Sequence, residues 1–188
     1  NSHIRVWDLD RGMLLHNLSG YMESVENLLL MPDDRLASIG TSSDCSIKVW
    51  DLEQGVLLYR LSGHSGIIDN LLMMHNGCLI SSCGSSRDYS IKVWSLDLEQ
   101  EVPPHNLSGH AAGVDNLLLM PNGHFFSSCS SSKDCSIKVW DEQGHLLGSL
   151  EGHTDGVDNL LLTFNSRLVS SCSSKRGGDH TIKVWDID

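Results

Sequence analysis

No stretch of this 188-residue chain approaches the roughly 20 consecutive apolar residues of a membrane helix, so no membrane association is expected. The opening residues NSHIRVWDLD have neither a basic start nor an apolar core, and no secretory leader is read there. Residence in the cytoplasm or nucleus is the corresponding expectation. The chain does not open with Met, as expected of a piece of something longer. Positive charge is scarce: 13 Lys and Arg stand against 24 Asp and Glu, for a formal net charge of −11. Such a surface repels phosphate backbones, which argues against nucleic acid and in favour of basic partners. None of the six cysteines forms a C-x-x-C motif, which removes zinc-ribbon and thioredoxin-like readings. They are expected to be buried thiols in a reducing compartment. No phosphate-cradling glycine loop, nucleophile–base motif or metal-ligand spacing is present, so neither an enzyme nor a cofactor is expected. Three Tyr and three Phe do not recur at any one position. That works against a lectin-like or other small-ligand site, which would want an aromatic platform in each repeat. Helical periodicity is missing throughout.

What the chain has is repetition. CSIKVWD occurs at Cys45–Asp51 and Cys135–Asp141, with relatives SHIRVWD from Ser2, YSIKVWS from Tyr89 and HTIKVWD from His180. Trp7, Trp50, Trp94, Trp140 and Trp185 are separated by 43, 44, 46 and 45 residues. Four of the five are preceded by a glycine doublet, Gly20-Tyr21, Gly63-His64, Gly109-His110 and Gly152-His153. The distances from Gly to Trp are 30, 31, 31 and 33 residues. Between these markers run VENLLLMP, IDNLLMMH, VDNLLLMP and VDNLLLTF, then a serine-rich cluster. A period of 40–50 residues with ordered markers signals a repeat architecture.

Each period holds four short apolar runs bounded by Gly, Asn, Asp or Ser, the lengths and punctuation of strands. In the second full repeat these are IIDNLLMM, CLISSC, SIKVW and VPPHNL. A four-stranded antiparallel unit of about 44 residues buries neither face alone. Stacking copies buries both, which explains apolar residues at consecutive rather than alternate positions. Pro103 and Pro104 fall in the fourth run, where an outer edge strand tolerates proline.

The glycine–histidine doublet, the serine-rich strand, the following Asp and the IKVWD ending resemble the WD-repeat β-propeller family over essentially the whole chain. The resemblance implies an all-β fold of about four four-stranded antiparallel blades. It divides the chain into strands c and d of an incomplete blade (1–20), three full repeats (21–62, 63–108 and 109–151) and strands a to c of a last blade (152–188). That is 17 strands, one more than four blades need. Three outcomes are open: an excerpt of a larger ring, two copies associating to complete a ring, or a four-bladed ring with one displaced strand. The resemblance also implies a structural hydrogen-bond relay in each blade: His64, Ser82, Asp88 and Trp94; His110, Ser128, Asp134 and Trp140; His153, Ser171, Asp179 and Trp185. In the first repeat Tyr21 replaces the histidine and Ile39 takes the serine position, with Ser38 one residue off, so that relay is expected to be broken.

Members of this family resemble one another as rigid, non-enzymatic platforms for proteins and peptides, bound on the face around the central channel. The position after the first apolar residue of each inner strand lies on that face. Here it is Glu26, Asp69, Asp115 and Asp158, acidic in all four repeats, with Arg87 and Lys133 nearby on the b–c hairpins. Convergent carboxylates favour a basic protein or peptide segment. The alternatives are a lectin-like ligand-binding propeller and a purely structural module within a larger assembly. The neighbouring Asn27, Asn70, Asn116 and Asn159 read as a structural ladder.

Overall fold

The computed structural model describes residues 2–21, 24–41, 45–84, 88–96, 103–131, 133–172 and 179–187. All regular structure among them is β. The first sheet holds two strands, β1 (Ser2–Asp8) and β2 (Met13–Tyr21). Three four-stranded antiparallel sheets follow. The first contains β3 (Val25–Leu30), β4 (Arg35–Gly40), β5 (Ile47–Asp51) and β6 (Val56–Leu61). The second contains β7 (Asn70–Met73), β8 (Leu79–Ser82), β9 (Ile91–Trp94) and β10 (His105–Leu107). The third contains β11 (Asn116–Leu119), β12 (Phe125–Ser128), β13 (Ile137–Trp140) and β14 (Leu146–Leu150). A three-stranded sheet, β15 (Asn159–Leu162), β16 (Leu168–Ser171) and β17 (Ile182–Trp185), completes the series. Within each sheet the strands lie in chain order, and the inner strands β3, β7, β11 and β15 neighbour one another in sequence. The five sheets form an arc of propeller blades.

The a–b hairpins show why these residues turn where they do. Each needs a left-handed residue before the second strand: Gly77 and Gly123 supply it without a Cβ penalty, at φ 85° and 88°. Asp34 (φ 57°) and Ser166 (φ 59°) hold the same position in the first and last blades.

The core lies in the seams between blades. Neighbouring residues on one strand point into opposite seams. Leu79 packs backward with Met31, Ile39, Ile47 and Trp94, whereas Ile80 packs forward with Ile91, Phe125 and Trp140. Phe125 and Phe126 divide in the same way between two seams. This alternation is the physical basis of the consecutive apolar runs. The prolines fit the chain differently from the sequence reading. Pro103 and Pro104 precede the fourth strand, and β10 begins only at His105, leaving it three residues long.

Candidate functional site

Three blades carry the same buried polar chain, with one correction to its serine. Trp94 Nε1–H donates to Ser81 Oγ at 2.8 Å, and Ser81 Oγ lies 2.7 Å from His64 Nε2. His64 Nδ1–H donates to Asp88 at 2.7 Å. The other two chains are Trp140–Ser127–His110–Asp134 and Trp185–Ser170–His153–Asp179. The relay serines are therefore Ser81, Ser127 and Ser170, not Ser82, Ser128 and Ser171. Strand alternation supplies the reason. Ser81 shares a face with Leu79 and so meets Trp94, while Ser82 shares a face with Ile80 and points into the next seam.

There the second serines take part in a different construction. Asn70 Nδ2 reaches Ser82 Oγ at 3.4 Å and the backbone carbonyl of Asp115, in the next blade, at 2.5 Å. Asn116 bridges Ser128 Oγ (3.2 Å) and the Val157 carbonyl (3.3 Å), and Asn159 meets Ser171 Oγ at 3.3 Å. The first relay runs through tyrosine instead of histidine, and its aspartate position, Asp44, lies outside the described residues. Tyr21 Oη and Ser38 Oγ are 2.7 Å apart, and Trp50 Nε1–H donates to the same Ser38 oxygen at 2.7 Å. Tyrosine fits because Gly40 stands where the other blades have cysteine. A Cβ at Gly40 would lie 3.0 Å from the Tyr21 ring.

The cysteines form no disulfide. His110, Cys129 and Asp134 cluster tightly enough to hold a metal, as do His64, Cys83 and Asp88. In the first of these trios each donor is already engaged within the protein. His110 bonds Asp134 and Ser127, and the Cys129 thiol donates to the Ala112 carbonyl at 3.4 Å. Burial drives that thiol far above its ordinary pKa, so it stays protonated.

The relay makes stability pH-dependent. Burial, outweighing the pull of Asp88, holds His64 below the ordinary imidazole value. Burial alone would raise Asp88, but hydrogen bonds from Ser90, the Ser65 N–H and His64 outweigh it and hold the carboxyl at about 2. Both groups bind protons more readily unfolded than folded, so both favour unfolding as pH falls. Stability is expected to be full above about pH 6.5, to decline first through His64, and to fall further between about pH 4 and 2 as Asp88 titrates. Urea midpoints measured across that range check this; a flat profile down to about pH 4 would rule out the His64 contribution.

The structure brings two of the four acidic residues expected on the channel face together. Asp69 and Asp115, from adjacent blades, flank Gly84: a Cβ there would lie 2.4 Å from Asp115 Oδ1 and 3.0 Å from Asp69 Oδ2. Each also anchors its own b–c hairpin. Asp69 accepts from the Gly84 N–H at 2.5 Å, and Asp115 Oδ2 accepts from Ser130 N–H and Oγ–H at 2.7 and 2.8 Å. Burial and the neighbouring Asp115 charge raise the Asp69 pKa against the lowering by Gly84. Asp158 occupies the same register, its N–H bonded to Ser171 as those of Asp69 and Asp115 are to Ser82 and Ser128. Glu26 differs: a register shift between Val25 and Asn27 displaces it, and it lines a cavity with His3 and Arg5. Lys133 lines a separate cleft with Lys138, Glu151 and His153. Arg87 lies outside the described residues.

Stacked four-stranded blades wired by a Trp–Ser–His–Asp relay define a β-propeller of the tryptophan–aspartate repeat class. The sequence profile of the WD domain, G-beta repeat, matches residues 12–51, 55–95, 101–141 and 144–186, and the chain belongs to that family. No curated protein sequence matches it. Among solved structures it is similar to the computationally designed Ika4 protein, at 30% identity and TM-score 0.72, over 94% of this chain and 99% of that one. It is also similar to the computationally designed Ika8 protein, at 30% identity and TM-score 0.75, covering 97% of this chain and 52% of that one. A chain in a Mitotic Checkpoint Complex matches in fold at 19% identity and TM-score 0.76, covering 99% of this chain and 55% of that chain. The chain thus spans about half the length of two of these three proteins.

Proposed function

We propose that the chain is a non-enzymatic platform that binds a basic protein or peptide segment on its channel face. The observation that carries this is the convergence of Asp69 and Asp115 across Gly84, where no side chain separates them. Asp115 Oδ1 accepts no hydrogen bond among the described residues, so one carboxylate oxygen remains available to a ligand. Burial is the main cause of the raised Asp69 pKa; an ammonium or guanidinium placed between the two carboxylates would relieve the repulsion from Asp115 that adds to it. Membership of a family whose members resemble one another as protein-binding platforms supports the same reading.

The test must separate charge from architecture, because Asp69 and Asp115 also anchor hairpins. Asn substitutions keep a carbonyl acceptor for the Gly84 and Ser130 N–H groups while removing the charge. An extended Gly/Ser peptide bearing four lysines serves as the probe, with its glutamate counterpart as control, followed by fluorescence anisotropy. Asp69→Asn with Asp115→Asn is expected to weaken lysine-peptide binding roughly tenfold, at about 0.5–1 kcal/mol per lost charge contact. Binding of the unsubstituted chain is expected to weaken as salt rises and the Debye length drops below about 8 Å. Equal affinity for the lysine and glutamate peptides would overturn the reading.

A further inference from the structure

We propose that the cleft between the β12–β13 hairpin and the β14–β15 loop binds an oxyanion, the carboxylate or phosphoryl group of a partner segment, with Lys138 as its anchor. This does not depend on the channel-face reading. It rests on one register position that the three four-stranded blades fill differently.

In each of these blades the third strand carries a lysine two residues before its tryptophan: Lys48, Lys92 and Lys138. All three are buried, at 3%, 6% and 9% exposure. A buried ammonium needs acceptors for its three donors and something to answer its charge. Strand pairing sets Arg60 opposite Lys48, Asn106 opposite Lys92 and Ser149 opposite Lys138. Lys48 Nζ sits over the Tyr21 ring, 3.9 Å from its centroid, in a cation–π contact. Lys92 Nζ donates to the Asn106 amide oxygen at 2.5 Å. Lys138 Nζ reaches only two hydroxyls, Ser136 Oγ at 3.2 Å and Ser149 Oγ at 3.4 Å, both neutral and both at the long end of the hydrogen-bond range. Its third donor and its charge have no partner among the described residues.

The difference follows from one residue. Ser149 carries its oxygen one bond closer to the backbone than Asn106 does, so the acceptor withdraws from the lysine. Lys138 then faces a cleft of about 350 Å³. Lys133 lines the same cleft, and its ammonium has no partner among the described residues. Two carboxylates line it as well. That of Asp134 is taken up by His110, the Ala111 N–H and Ser136, and the His153 ring is held by Asp179 and Ser170. Glu151, which is exposed, is the opposing charge. An oxyanion seated between Lys138 and Lys133 would supply the acceptor and the countercharge that the buried ammonium lacks. Partial exclusion of water there strengthens the pairing.

Amide NMR spectra of the 188-residue chain, titrated with sodium phosphate and separately with sodium acetate against sodium chloride at constant ionic strength, test this. Saturable shifts are expected at residues 133–138 and 151–153, and not at residues 90–92, where Asn106 already serves Lys92. Ser149→Asn, which copies the Asn106 arrangement and keeps every charge, is expected to weaken binding of the better anion about tenfold. Lys138→Met is expected to abolish it, and Glu151→Gln to strengthen it about twofold. Gly/Ser peptides bearing one phosphoserine or one glutamate then identify the group: the one that binds more tightly, with the same loss in Ser149→Asn, is the source of the oxyanion. Lysine-peptide binding is expected to be unchanged in Ser149→Asn, so the two readings fail separately. Shifts that do not saturate, or that chloride reproduces, overturn the proposal. So does full anion affinity in Ser149→Asn.

Discussion

Asp134→Ala is expected to lower the unfolding free energy by about 1–3 kcal/mol, because it strands several buried donors at once. The carboxylate accepts from His110 Nδ1–H at 2.6 Å and from the Ala111 N–H at 2.8 Å. It also accepts from Ser136 through both N–H (3.1 Å) and Oγ–H (2.6 Å). Removing it leaves His110, itself hydrogen-bonded to Ser127, with a buried N–H whose only other neighbour of this kind among the described residues is the weakly accepting Cys129 sulfur at 3.2 Å. Asp10→Ala, on an exposed turn with no hydrogen bond among the described residues, is expected to change stability by no more than about 0.5 kcal/mol. Asp33 would be a poor control, since it pairs with Arg35. Urea denaturation of the two variants decides the matter, and equal midpoints would remove the relay as a source of stability.

Gly156→Ala is expected to cost at least as much, by about 2–3 kcal/mol, through overpacking against atoms that cannot yield. A Cβ there would lie 2.2 Å from the Ser130 carbonyl carbon and 2.6 Å from the Ser131 nitrogen, all backbone of the preceding blade. The next residue, Val157, donates its N–H to Cys129 of that blade at 2.6 Å, so displacing the loop also breaks a backbone link across the seam. Gly148→Ala, whose Cβ would meet nothing within 4 Å, serves as the control. Hydrogen exchange at Asn159–Leu162 is expected to rise in the first variant and not the second; unchanged protection in Gly156→Ala would show that the seam can absorb a methyl group.

Strand order and blade phase were legible in the sequence because glycine, histidine, asparagine and tryptophan each mark a different point of the period. Singular residues are easy to align, as the histidines, aspartates and tryptophans of three relays illustrate. The serine was not legible, because Ser81 and Ser82 are the same residue type on opposite faces of a strand. Only the pairing of Leu79 with one seam and Ile80 with the next separates them. The first relay was missed for a related reason. Tyr21 reads as a loss of histidine until Gly40 is seen to make room for a longer ring. The acidic residues read as a convergent set facing a basic partner, yet Asp69 and Asp115 each also hold a hairpin. Nothing in their spacing distinguishes a carboxylate that binds backbone from one that awaits a partner.

The asparagine bridges bear on how such a chain can lengthen. Asn70 and Asn116 each grip a serine of their own blade and a backbone carbonyl of the next. The side-chain half of these two seams is thus encoded within one period, and the other half is main chain, which any successor provides. A blade copied in place arrives with its own grip on the next blade and offers a carbonyl to the one before it. Repeat number can therefore drift by whole periods without any new interface having to evolve.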